Sequence, residues 1–117
     1  MSDDLTVMGG GELFSDSITG ANPVSFTTGA IGSPFTLDSI RFNLSSTGVT
    51  SEDMTITINS AKGSTFDTVV DRQNMQGLDG FIQTYSGVEC EVGDSIDVDY
   101  PNSDGSTVTT ILIVGGV

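Results

Sequence analysis

The sequence has no histidine and no tryptophan, a single cysteine, and three basic residues, Arg41, Lys62 and Arg72, among 117 positions. Each shortage excludes a class of chemistry. With Cys90 alone and no imidazole, neither a Zn²⁺ or other transition-metal centre nor an intrachain disulfide can be assembled. A serine nucleophile that relies on imidazole as its general base has none to use. Three scattered cations cannot supply the clustered charge on which counterion release depends, so nucleic acid is not expected as a partner, and anionic membrane surfaces are disfavoured for the same reason. Apolar runs are short as well: the longest, Ile111 to Val114, has four residues, far below a membrane span. Met1 to Asp4 is acidic where a signal peptide would be basic and then apolar, which leads to the expectation of synthesis and folding in a cytoplasm.

What is present is acid. Sixteen Asp and Glu against three basic residues give a formal charge of −13. Such a balance promotes solubility and repulsion between free copies, and it also offers a docking field to a basic surface. The length fits one domain with a real core. The hydrophobic content of 36%, with fifteen glycines besides, is ordinary for a globular chain. Cys90 reads as a small buried hydrophobe, since no neighbouring cation lowers its thiol pKa.

The centre of the chain, Phe35 to Met75, alternates with period two. Ile40, Phe42 and Leu44 take every second position, then Met54, Ile56 and Ile58, with Arg41, Asn43, Thr55 and Thr57 between them. Side chains on a strand alternate between faces, so each run buries one side and calls for a second layer to cover it. Phe35 and Leu37 are odd while Ile40 and Phe42 are even, which predicts a β-bulge or kink at Asp38–Ser39. Lys62–Gly63 reads as a hairpin-like connection into a strand from Phe66 to Asp71, where adjacent Val69 and Val70 favour strand over the alternative of a helix across 66–76.

The remaining elements follow the same logic. Val24 and Phe26 mark a short strand after the Ala21-Asn22-Pro23 turn. Phe81 to Tyr85 carries two apolar neighbours, Phe81 and Ile82, that cannot share one core. Ile96, Val98 and Tyr100 alternate cleanly with Ser95, Asp97 and Asp99, and Asp104–Gly105 is a hairpin signal. Continuous apolarity from Ile111 predicts a last strand covered on both faces. Eight or nine short antiparallel strands with few helix signals indicate an all-β, single-domain β-sandwich of jelly-roll type, with an immunoglobulin-like sandwich as the second architecture. Residues 1–11 are expected to form an arm ending in the Gly9-Gly10-Gly11 hinge, or an edge strand, and residues 12–117 the sandwich.

Four features invite a chemical reading. Gly93-Asp94-Ser95-Ile96 looks like an esterase nucleophile block but lacks a base, and reads instead as a tight turn with Asp94 in an Asx-turn. Asp97 and Asp99 lie two apart on a strand, about 7 Å from each other by strand rise, and are expected to have ordinary acidity on a wet face. Asp94, Asp97, Asp99 and Asp104 are oxygen ligands suited to Ca²⁺ if folding brings them together, although no stretch has the EF-hand spacing. Tyr85 and Tyr100 are the aromatics left for stacking on a sugar once the phenylalanines go to the core.

The stretch Ser33-Pro34-Phe35-Thr36-Leu37-Asp38-Ser39-Ile40-Arg41-Phe42-Asn43-Leu44-Ser45-Ser46, followed by Met54-Thr55-Ile56-Thr57-Ile58, Phe66-Asp67-Thr68-Val69-Val70 and Val92-Gly93-Asp94-Ser95-Ile96, resembles small structural proteins of tailed bacteriophages. The likeness covers about residues 33 to 114 and lies in the pattern of strands and turns, with no catalytic residue to carry over. It implies a capsid decoration or cement protein: a β-sandwich on the outer shell, in contact with the major capsid protein, dimeric or trimeric on the particle, non-catalytic and without a cofactor. A tail or receptor- and carbohydrate-binding module is the alternative. Leu5, Val7 and Met8 of the arm are the expected partner contacts.

Overall fold

The computed structural model describes residues 6–7, 11–19 and 22–116. The strands in chain order are β1 (Thr6–Val7), β2 (Gly11–Ile18), β3 (Val24–Thr27), β4 (Phe35–Leu44), β5 (Asp53–Asn59), β6 (Thr68–Asn74), β7 (Gly80–Thr84), β8 (Glu89–Cys90), β9 (Ser95–Tyr100) and β10 (Val108–Gly116). A single 3₁₀ turn at Ser64–Phe66 is the helical element among the described residues. The strands exceed the expected number because β1 and β8, of two residues each, are too short to show a period.

Two sheets result. The larger runs β1-β2-β10-β4-β7, with β8 also paired to β4; the smaller runs β3-β9-β5-β6. The antiparallel pairs β2·β10, β3·β9, β4·β7 and β5·β6 are successive rungs of one long ribbon, and the pairs β4·β10 and β5·β9 join its neighbouring wraps. A double-stranded ribbon wrapped in this way is a jelly roll, as expected from the sequence.

The face switch in β4 is a bulge. Ile113 pairs with Ser39 and Val114 with Leu37, leaving Asp38 as the extra residue, so Phe35, Leu37, Ile40, Phe42 and Leu44 all point inward. A second bulge at Val70 lies between the Thr57–Val69 and Ile56–Asp71 pairs, within a strand where a helix was the alternative.

The apolar runs of β4 and β5 lie in opposite sheets, and each is part of the layer that covers the other. Two expectations are corrected. Asp104–Gly105 does form a tight turn, with Gly105 at φ 75° and its N–H donating to the Asn102 carbonyl at 3.1 Å. That turn carries the chain from one sheet to the other and is no hairpin, because β10 finds its partners in β2 and β4. Finally, β10 is covered on one face. Val108, Leu112 and Val114 are buried, while Thr109, Ile111 and Ile113 on its other side are half-exposed.

Inside, Leu37, Ile40, Phe42 and Leu112 of the larger sheet meet Met54, Ile56, Ile96 and Val98 of the smaller, all fully buried. Each such side chain contributes about 1.5–3 kcal/mol through burial. Phe42 and Tyr100 join the sheets edge to face, with ring centroids 5.4 Å apart and planes at 81°. Phe42→Ala is expected to cost about 3–5 kcal/mol, seen as a lower urea midpoint at unchanged m. Beside Phe42 in the ladder, Thr110 is buried and its Oγ1 has no hydrogen-bond partner. Thr110→Val removes that orphan at almost constant volume and should raise stability by about 1 kcal/mol in the same titration.

Candidate interaction surfaces

Strand pairing decides what each sheet shows to solvent. On the outer side of the larger sheet, three cross-strand rows stand side by side: Leu13, Ile113, Ser39 and Thr84; then Ser15, Ile111, Arg41 and Ile82; then Ser17, Thr109, Asn43 and Gly80. None of these residues is acidic. On a chain of charge −13, these three rows, with no carboxylate, one arginine and four aliphatic side chains, form a local patch, bordered on the same side by the row Gly115, Thr36 and Glu89 and by Asp38 at the bulge. Ile82 is 68% exposed on it. Strand spacing and rise give it about 300–400 Å². A patch of that size is often functional on a monomer, but it is about half of what each partner buries in a standard interface.

The outer side of the smaller sheet is different. Its rows run Ser25, Asp99, Thr55 and Arg72, then Thr27, Asp97, Thr57 and Val69. Between β3 and β5 the surface sinks into an open groove of about 370 Å³ lined by Pro23, Val24, Ser25, Asp53, Thr55, Asp99, Tyr100 and Pro101. The two prolines flank β3 and β9 at one end of the sheet, where their rings form apolar walls beside the carboxylates. Burial, followed by the charge of Asp97, raises the Asp99 pKa above the ordinary carboxylate value, while a hydrogen bond from Ser25 opposes the shift. This direction departs from the ordinary acidity expected of Asp99, whose side chain nevertheless stays exposed as expected of a wet strand face.

The loops at this end of the sandwich are cross-braced. Asp104 accepts hydrogen bonds from the Val49 N–H (2.8 Å), the Thr50 N–H (3.1 Å) and the Thr50 hydroxyl (2.7 Å). Glu52 answers by accepting from the Ser103 N–H and hydroxyl at 2.8 and 2.7 Å. Gly48 fits beneath residues 75–78, donating its N–H to the Leu78 carbonyl and accepting from the Gly77 N–H, both at 2.9 Å; a Cβ there would strike the Met75 carbonyl. At the opposite end buried Asp94 does similar work, its carboxylate accepting from the Ala61 and Glu91 N–H groups at 2.8 Å each.

These bonds account for the acids singled out in the sequence. Asp94 reaches back to Glu91 and across to Ala61, a different use from the forward Asx-turn expected of it. Asp97 accepts from Asn59 Nδ2 at 3.2 Å, and Asp104 is committed to residues 49–50. With Asp99 in the groove, the four oxygen donors serve four separate places, and among the described residues no group of three or more acids or cysteines is disposed to hold a metal ion. Ser95 is buried and donates to Asp97 at 3.4 Å.

Tyr100 is buried, and burial, then the charges of Glu52 and Asp104 and a hydrogen bond to Glu52, push its pKa up to about 12. Tyr85 is half-buried and donates its hydroxyl to Asp71 at 2.7 Å, so burial first and Asp71 second raise its pKa as well. Neither ring is an exposed platform. Cys90 is buried, and burial, then Asp94, push its thiol up to about 11, in keeping with an inert core residue. Of the expected arm contacts, Leu5 and Met8 lie outside the described residues, as does the side chain of Val7. The backbone of Thr6–Val7 pairs with Gly11–Glu12 at the edge of the larger sheet, and Gly11, read in sequence as part of the hinge, begins β2.

The bonds from Val49 and Thr50 hold the Asp104 pKa below its ordinary value of 3.8. A depressed carboxylate pKa stabilises the fold above the unfolded value, and that support is lost as pH falls through the folded one. Amide-exchange protection at Val49 and Thr50, corrected for intrinsic rates, should therefore hold above pH 3.8 and collapse below it before the core amides respond. Asp104→Asn should weaken the same protection at neutral pH.

No protein-family model matches the chain, and no curated protein matches it. Among solved structures, the Yersinia pseudotuberculosis-derived mitogen is similar over 92% of this chain and 87% of its own, at 11% sequence identity and a TM-score of 0.45.

Proposed function

We propose that this chain is a non-catalytic cement or decoration protein of a tailed bacteriophage, which binds the major capsid protein on the outer shell and acts by contact alone. The observation that carries this reading is the patch of three acid-free rows, with Leu13, Ile113, Ile111 and Ile82, on the outer side of β2, β10, β4 and β7. Among the described residues no carboxylate stands within these rows, and Glu89 and Asp38 lie at their border. Elsewhere the net charge repels other copies of the chain in solution, so this face is where a protein surface approaches at least electrostatic cost. Its area falls short of a stable one-to-one interface, which suits a molecule held by several neighbours on a lattice, where linked weak contacts add up. A dimer or trimer on the particle fits the same geometry. The carbohydrate-binding alternative loses support from the buried and half-buried positions of Tyr100 and Tyr85.

Co-sedimentation of the purified chain with undecorated phage heads tests the reading. Saturation at a fixed number of copies per head, with and without a chelator, is the expected outcome. Ile82→Glu places a charge on the exposed face without touching the core and should weaken attachment about tenfold or more, with unfolding unchanged. Removal of residues 1–10 in parallel reports on Leu5, Val7 and Met8. Absence of any association between the unaltered chain and heads would overturn the proposal.

A further inference from the structure

The groove on the smaller sheet is not used by the reading above. Its walls are the rings of Pro23 and Pro101 with Val24 and Tyr100 between them, and its polar groups are Asp53, Asp99, Ser25 and Thr55. All four polar groups are oxygen donors or acceptors, and two of them are carboxylates on neighbouring strands. Asp99 stands opposite Thr55, two residues from Asp53, so the two acids are diagonal neighbours about 7–8 Å apart at the backbone, within reach of one ligand. The ion pair among the described residues, Lys62–Glu91, involves neither acid.

We propose that this groove receives one arginine side chain of a partner protein, its guanidinium held between the Asp53 and Asp99 carboxylates and its aliphatic stem lying against Pro23 and Pro101. Three features select arginine over other cations. A planar, forked guanidinium can donate to two acids at once, whereas an ammonium is a point charge that holds its water more strongly. Apolar walls suit the flat, weakly hydrated group and its methylenes. A hard divalent ion requires six to eight oxygens, and the groove offers no third acid. The net charge of −13 adds a long-range pull on any cationic partner. Arg72, beyond Thr55 on the edge strand, is a like charge that limits the affinity. The groove and the aliphatic patch lie on opposite sides of the sandwich, so this inference stands or falls independently of attachment to phage heads.

The test titrates the full chain, labelled with ¹⁵N, with acetyl-Gly-Arg-Gly-amide and with the same peptide carrying neutral citrulline. Expected are saturable shifts confined to the amides of Ser25, Thr55, Asp99 and their neighbours with the arginine peptide, and none with citrulline. Asp99→Asn should weaken binding about tenfold, while Glu89→Gln, which removes one charge at the far end of the molecule, should change it less than about twofold. Equal shifts with both peptides, no localised shifts, or equal losses in the two variants would each overturn the proposal, the last by reducing the effect to net charge. Displacement of the peptide by equimolar Ca²⁺ would overturn it in favour of a metal site. The citrulline comparison requires no variant and stands even if Asp99→Asn does not fold.

Discussion

The face-to-face burial of β4 and β10 against β5 and β9 is the constraint on which the rest of the molecule depends. These are the central strands of their sheets, and their inward side chains, with the Phe42–Tyr100 contact among them, form the core. Once that layer is set, the bulge at Asp38 follows: without an extra residue there, Phe35 and Leu37 would point to solvent whenever Ile40 and Phe42 point inward. The outward rows follow as well, because a residue that cannot enter the core at an alternating position must face out.

Acidic side chains are distributed in keeping with this plan. Some act as structural acceptors, as Asp94 and Asp104 do for backbone N–H groups in loops that belong to different wraps of the ribbon. Charge-assisted bonds of this kind fix loops that carry no regular structure of their own. Others, Asp53 and Asp99, line the open groove on the smaller sheet. None occupies the aliphatic rows of the larger sheet. The two broad faces of one sandwich thus differ in chemistry: one carries an aliphatic patch with Arg41, bordered by Asp38 and Glu89, and the other is acidic and grooved.

Much of the fold was legible in the sequence because strand alternation is a local property. The strands around Ile40–Leu44, Met54–Ile58 and Ile96–Tyr100, the bulge at Asp38–Ser39 and the burial of Cys90 all follow from the order of apolar and polar residues along short stretches. Where the reading failed, the missing information was non-local. The Asp104–Gly105 turn has hairpin chemistry, yet its flanking strands pair with others, and nothing within the turn encodes that. Ile111 and Ile113 suggested a strand covered on both sides, but their outward, half-exposed side chains stand in two adjacent cross-strand rows, one with Ile82 and the other with Leu13, which come from distant parts of the chain.

By itself, then, the sequence determined an acidic, all-β, single-domain pattern of alternation that had to close into a two-layered sandwich, and it excluded chemistry that needs histidine, paired cysteines or clustered cations. Only the tertiary structure decided which strands became neighbours, and so which surfaces exist. The acid-free patch draws its residues from β2, β4, β7 and β10, and the groove from β3, β5 and β9 and the loops beside them. The physical reason is that alternation specifies which way a side chain points relative to its own strand, whereas a surface depends on pairing between strands far apart in sequence.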